Sequence, residues 1–375
     1  MPQTLGLTGN HVIRNRWAWG AAATGVLGNN TTTPNIDTPT QINTEGDWGI
    51  ISLGSNFAVA LRQGRLYSWG SNANGQTGQS TTTGSTNTPT QIGSATDWKQ
   101  VSCGNGHALA LKNDGTLWSW GLATNGRLGN NTTTPNVTSP AQVGAETDWA
   151  LVRAGNTFSM ALKTNGTLYT WGAAANGRLG NGTTTPDVQV PTQIGLDTDW
   201  SILSGGGAFA FAIKTNGKLY SWGSNANGQT GQNTTTGNTT TPTQVGSDTD
   251  WEQISANNCV VAVKGGQLYG WGLNTNGAVG DNSTTNRSTP QLIDSNSGWR
   301  VAELGMGGNP TQASGAIRAG KLYTWGGDLT NVLGNGSGTA NVLVPTQVGT
   351  DSDWQEVFIQ TAGAAAIGFA TGIKG

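Results

Sequence analysis

The pentapeptide Leu66-Tyr67-Ser68-Trp69-Gly70 returns as Leu-aromatic-x-Trp-Gly at 117–121, 168–172, 219–223, 268–272 and 322–326. A degenerate copy, Arg16-Trp17-Ala18-Trp19-Gly20, stands near the N-terminus. The seven pairs are built on Trp19, Trp69, Trp120, Trp171, Trp222, Trp271 and Trp325, with successive spacings of 50, 51, 51, 51, 49 and 54 residues. A fixed period near 50 in a chain of 375 residues restricts the fold to one supersecondary unit copied end to end.

The stretch from Trp98 to Gly144 shows what the unit is. Trp98 to Cys103 reads as a short strand, 104–106 as a Gly-Asn-Gly turn, and His107 to Leu111 as a second strand. Lys112-Asn-Asp-Gly115 has hairpin chemistry, and Leu117 to Trp120 alternates as a third strand. A long Gly/Asn/Thr loop leads to a fourth strand at Pro140-Ala-Gln-Val143. Four antiparallel strands per period predict an all-β, seven-bladed propeller of four-stranded antiparallel blades. A second tryptophan opens each first strand: Trp48, Trp98, Trp149, Trp200, Trp251, Trp299 and Trp354. Proline is expected to open each fourth strand (Pro39, Pro89, Pro140, Pro191, Pro242, Pro290, Pro345), an outer edge where its missing N–H costs nothing.

Residues 355–359 and an Ala-rich stretch at 364–369 supply two strands after Trp354, so 14–19 and 39–42 must complete that blade. The ring is therefore expected to close through a composite blade of N- and C-terminal strands. Residues 1–13 read as a short leader without secretion-signal character, and 14–375 as one propeller.

Charged residues are 10% of the chain against about 25% in an average protein, and the formal net charge is -2. That leaves no basic field for nucleic acid, and no apolar run approaches a membrane span. Cys103 and Cys259 occupy different repeat positions and read as two buried free thiols.

Taken together, Cys103–Trp120 with Gly121–Gly129, and Trp222–Gly231, resemble the regulator of chromosome condensation repeat family. Its pattern runs Ala-Gly-x-x-His-x-Leu-Ala-Leu, Asp-Gly, then Trp-Gly-x-Asn-x-x-Gly-Gln-Leu-Gly. The resemblance covers about 14–375 and implies a seven-bladed propeller. Asp-Thr-Asp-Trp at 197–200 and 248–251 looks like the bacterial and phage branch. The family's repeat histidine survives only as His107.

An enzyme is not expected. The two histidines, His11 and His107, form no metal-ligand set, and the Gly-Lys pairs at 217–218 and 320–321 are not phosphate loops. No catalytic residue, cofactor or metal is assigned. Acids recur before the first strand (Asp47, Asp97, Asp148, Asp199, Asp250, Asp353), five of them with a second acid (Glu45, Glu146, Asp197, Asp248, Asp351). Cations recur at the hairpin (Arg62, Lys112, Lys163, Lys214, Lys264, Arg318). Alternation places both sets on one face, as capped turns and surface pairs.

The opposite face carries Thr31-Thr32-Thr33, Thr81-Thr82-Thr83, Thr132-Thr133-Thr134, Thr183-Thr184-Thr185 and Thr234-Thr235-Thr236 in its long loops. Loops on a rigid scaffold are where binding usually resides, and these threonines are the candidate partner face. The reading is a non-enzymatic structural or recognition module, a virion surface component (capsid decoration or fibre) docking protein or glycan. The alternatives are a regulator of a small GTPase like the nucleotide exchange factors, and a secreted inhibitor or adhesin. Nucleic acid binding and membrane insertion are not expected, and the setting is a virion or extracellular surface.

Overall fold

The computed structural model describes residues 14–42, 46–305, 312–328, 330–336, 340–361 and 368–375. The leader 1–13, with His11, and the acid Glu45 lie outside the described residues.

Seven antiparallel sheets follow one another round a ring. Blade 1 comprises Trp48–Leu53, Phe57–Arg62, Arg65–Gly70 and Thr86–Gln91. Blade 2 comprises Trp98–Cys103, His107–Lys112, Leu117–Gly121 and Val137–Gln142. Blades 3, 4, 5 and 6 begin in the same way at Trp149, Trp200, Trp251 and Trp299. The second and third strands are almost wholly buried, whereas the fourth faces solvent on its outer edge.

First strands stand side by side round the axis, and serine hydroxyls bridge them. Ser52 Oγ accepts the Cys103 N–H at 2.9 Å, Ser102 Oγ that of Ala154 at 3.0 Å, and Ser255 Oγ that of Leu304 at 2.8 Å. These bonds satisfy inner-edge amides that no ladder reaches.

The seventh blade is composite. Trp354–Thr361 and Gly368–Lys374 pair with each other, and Asn15–Gly20 pairs with the second of them, Trp17 opposite Gly372. Ile36–Gln41 completes the blade. Closure is thus as expected; the second strand is Gly368–Lys374, which runs five residues past the expected end at Phe369, and residues 364–367 of the Ala-rich stretch lie outside the described residues. The register places Lys374 at the end of the strand, opposite Trp354, as Lys112 lies opposite Trp98.

Two further details differ from the sequence reading. Each fourth strand begins three residues before its proline, which sits in a register shift: Thr86 pairs with Gly70, Thr90 with Ser68, and Pro89 falls between. A bulge leaves a residue out of the ladder, which is where a side chain without N–H fits. In blade 6 the first strand is cut at Ala302: Trp299–Val301 stays in its own sheet, while Glu303–Leu304 pairs in parallel with Phe358–Ile359 of blade 7.

The Trp-Gly pair is what joins blade to blade. Trp69 Nε1–H donates to the Val26 carbonyl at 2.8 Å, Trp120 to Gln76 at 2.9 Å, and Trp171 to Arg127 at 2.9 Å. Trp222 donates to Arg178, Trp271 to Gln229 and Trp325 to Ala278, each at 2.9 Å. Trp19 closes the circle on Val332 at 2.8 Å. Every indole reaches the long loop of the preceding blade. The glycine after it takes φ between +95° and +106°, the left-handed region that a side chain disfavours. A second glycine makes room for the ring: Cβ added at Gly28, Gly78, Gly129, Gly180, Gly231, Gly280 or Gly334 would stand 2.7–3.1 Å from the indole it faces.

The closing blade carries Arg16 where the other repeats have leucine. It is fully buried, donates to the carbonyls of Leu27 (2.8 Å) and Gly28 (3.0 Å), and lies 4.7 Å from the Trp69 ring. Burial pushes its pKa down to about 9. Two carbonyls and the ring face compensate the charge without a carboxylate.

Trp120→Phe removes a buried clamp, whereas Trp98→Phe removes an indole N–H that bonds nothing among the described residues. The first variant should therefore lose about 1–3 kcal/mol more than the second in chemical denaturation; equal losses would refute the clamp. Cys103 and Cys259 are buried and free, and burial raises both thiols, Cys259 to about 11. At pH 8 both stay protonated, so iodoacetamide should label neither in the native protein and both after denaturation without reductant.

Candidate functional site

On the hairpin face, each cation is held over aromatic rings. Lys112 Nζ lies 5.0 Å from the Trp98 ring, 4.8 Å from that of Trp118 and 3.3 Å from Asp97 Oδ1. Lys163 repeats this on Trp149, Tyr169 and Asp148, and Lys214 on Trp200, Tyr220, Asp197 and Asp199. Lys264 stands over Trp251 and Tyr269 and pairs with Asp248. Arg62 stands over Trp48 and donates to the Gly46 carbonyl at 3.0 Å.

Arg318 stands over Trp299 and pairs with Asp294 of the preceding fourth strand, because Gly298 stands where other repeats have the acid. A seventh member escaped the sequence reading: Lys374, over Trp17 and Trp354 and paired with Asp351. Its signal was the lysine at the end of an apolar strand, hidden because the expected strand stopped at Phe369. These repeat cations are committed to acids, a carbonyl and aromatic rings, so they offer a partner little unpaired charge.

The long loops form the opposite face, next to the turns between first and second strands. Ser71 N–H bonds the Asn56 carbonyl at 2.7 Å, and Leu122 N–H that of Gly106 at 2.8 Å. All fifteen candidate threonines are exposed. The first of each triplet is nevertheless tied down. Thr31 and Thr183 donate to Asn29 and Asn181 through both amide and hydroxyl, and Thr132 donates its hydroxyl to Asn130 Oδ1 at 3.0 Å. Asn72 and Asn225 grip Thr81 and Thr234 through carbonyl and hydroxyl. The second and third threonines make no such side-chain bond among the described residues, and these ten are the hydroxyls open to a partner. Asn72 and Asn225 were not picked out from the sequence; their signal is the shared Trp-Gly-Ser-Asn.

His107 has no access to solvent. Its Nε2 lies 3.0 Å from Ser159 Oγ, which donates to the Arg127 carbonyl at 2.7 Å. The serine proton is thus committed, so Nε2 carries the hydrogen and donates to Ser159. Burial, with Arg127 nearby, lowers the pKa of His107 well below its ordinary value and keeps it neutral. The pair resembles nucleophile and base in composition only: the hydroxyl faces a carbonyl, not a substrate. Among the described residues no three of His, Cys, Asp or Glu are grouped to hold a metal ion.

The protein-family model for the RCC1-like domain matches residues 10–313. The human E3 ubiquitin-protein ligase HERC2 is 33% identical over 129 residues, covering 32% of this chain and 3% of that protein. The mitochondrial RCC1 domain-containing protein RUG3 of Arabidopsis thaliana is 28% identical over 280 residues, 69% of this chain and 60% of its own length. The chain thus spans only part of each of these two relatives. Among solved structures, Prp20p of Saccharomyces cerevisiae superposes with a TM-score of 0.80 at 19% identity, covering 96% of this chain and 91% of that one. That protein was studied for its binding to Gsp1p and histones. With seven clamped four-stranded blades and a family match over most of its length, the chain belongs to the RCC1-like domain family.

Proposed function

We propose that this chain is a non-enzymatic docking propeller whose long-loop face binds a protein, in the manner of the regulators among RCC1-like proteins. The observation that carries this is the division of labour between the faces. The repeat cations of the hairpin face are spent on acids, carbonyls and indole rings, and the single described histidine is sealed. The long loops present ten open threonine hydroxyls on a rigid frame.

Regulation of a small GTPase is the finer form of this reading. It draws support from the likeness to Prp20p and needs no nucleophile, only a face that holds one conformation of its partner more tightly than another. The virion setting and the glycan ligand expected from composition have no counterpart among the relatives named above. The bacterial and phage branch has none either.

A Ran-type GTPase loaded with fluorescent nucleotide tests the finer form. Release should accelerate at substoichiometric propeller and slow again when Thr82, Thr83, Thr235 and Thr236 are replaced by glycine and serine, with the melting temperature unchanged. No acceleration at equimolar propeller would remove the GTPase form, and acceleration indifferent to the loops would move the docking face.

A further inference from the structure

Only two of the seven blades carry a charge at the position whose carbonyl receives the indole clamp. Val26, Gln76, Gln229, Ala278 and Val332 occupy it elsewhere; blades 2 and 3, which adjoin, have Arg127 and Arg178. Both backbones are pinned, since Trp171 and Ser159 donate to the Arg127 carbonyl and Trp222 to that of Arg178.

The side chains are pinned too. Arg127 is 4% exposed; its Nε donates to the Thr124 carbonyl at 2.9 Å, and Nη2 to Thr124 Oγ1 and Asn125 Oδ1, both at 3.0 Å. Arg178 donates from Nε to the Ala175 carbonyl at 2.8 Å and from Nη1 to Thr157 Oγ1 at 2.6 Å. Arg127 Nη1 and Arg178 Nη2 have no hydrogen-bond partner among the described residues.

Two cations lie close here with no carboxylate in contact. Asp187 is the nearby acid, but its oxygens are taken by neutral donors, Asn125 Nδ2 at 2.7 Å and the Ala174 N–H at 2.9 Å. It forms no ion pair with either arginine. Burial, reinforced by Arg178, lowers Arg127 to about 10, and His107 beneath it is neutral. The cluster therefore holds two positive charges against one negative, in a place where water screens them poorly.

We infer that Arg127 and Arg178 form an anion-binding notch on the long-loop face, which takes a carboxylate side chain of the docking protein. This rests on the protein-docking reading above and names the chemistry of the partner. A carboxylate has two oxygens for the two free guanidinium nitrogens, and fixed forks lose little freedom on binding. The rest of the face carries few charges, so an acidic segment would find its register at this notch.

The test uses a fluorescein-labelled hexaglutamate peptide, with hexaglutamine as control, followed by fluorescence polarisation on the full chain. The wild type should bind hexaglutamate and not hexaglutamine, with affinity falling steeply from about 50 to 300 mM salt. Arg178→Gln should weaken binding about tenfold, and Arg127→Lys with Arg178→Gln about a hundredfold. Lys99→Gln and Arg65→Gln, exposed on the other face, should leave it unchanged. Should Arg127→Lys lower the melting temperature, Arg178→Gln alone decides, because its side chain is only half-buried.

Equal affinity in wild type and Arg178→Gln, loss in the Lys99 or Arg65 variants, or no peptide binding at all would overturn the notch. Displacement of the peptide by inorganic phosphate at far lower concentration than by acetate would make it a phosphate site and overturn the carboxylate assignment. Peptide binding without nucleotide exchange would leave the notch standing while removing the GTPase form.

Discussion

One hydrogen bond repeated seven times governs this molecule: an indole N–H on the third strand of each blade reaches a carbonyl in the long loop of the blade before it. Much else follows from accommodating it. The ring needs a flat neighbour, hence the glycine that would otherwise press a methyl into it. The strand must turn away directly after it, hence the glycine at φ near +100°. The carbonyl has to be presented from a fixed loop, so the loop is anchored by side-chain amides and a carboxylate. Asn72 and Asn225 do this in blades 1 and 4, while Asn35, Asn136 and Asp187 cap the amides of Ala22, Ala123 and Ala174 in blades 7, 2 and 3. The bond is modest taken singly, but each is buried, and breaking one leaves a desolvated carbonyl behind.

The other seven tryptophans work differently. Among the described residues, none of the indole N–H groups of Trp48, Trp98, Trp149, Trp200, Trp251, Trp299 and Trp354 finds a hydrogen-bond acceptor. Their contribution is the ring face and edge: T-shaped contact with the aromatic of the third strand, and a lysine or arginine laid across. One residue type thus serves two chemistries within each repeat, a directional donor between blades and a polarisable surface within one.

Most of this was legible in the chain, because a period of about 51 residues makes every essential side chain appear several times over. The tryptophans, the hairpin cations and the composite closure all came from that redundancy. What escaped came from places where the repeat is broken. Lys374 and the far end of its strand were missed because no Trp-Gly pair follows to fix the register. The transfer of Glu303–Leu304 to the neighbouring sheet is a pairing between distant segments, which local pattern does not encode. Proline announced the outer strand but not the bulge it occupies. Function was least legible: a triplet of threonines looks uniform in the sequence, whereas the fold commits the first and leaves the other two open.

The clamp has a direction, and direction has consequences for assembly. A blade offers a donor toward one neighbour and an acceptor toward the other, so the contact is heterologous, like the head-to-tail interfaces of cyclic oligomers. Any run of consecutive blades would end with one unspent indole and one unspent carbonyl, complementary to each other. The identity of 68–79 and 221–232, three blades apart, marks an internal duplication. A shorter ancestor of that kind would have carried self-complementary ends, able to build a ring from separate copies. Covalent fusion into one chain then fixes the number of blades and spares the assembly its dependence on concentration.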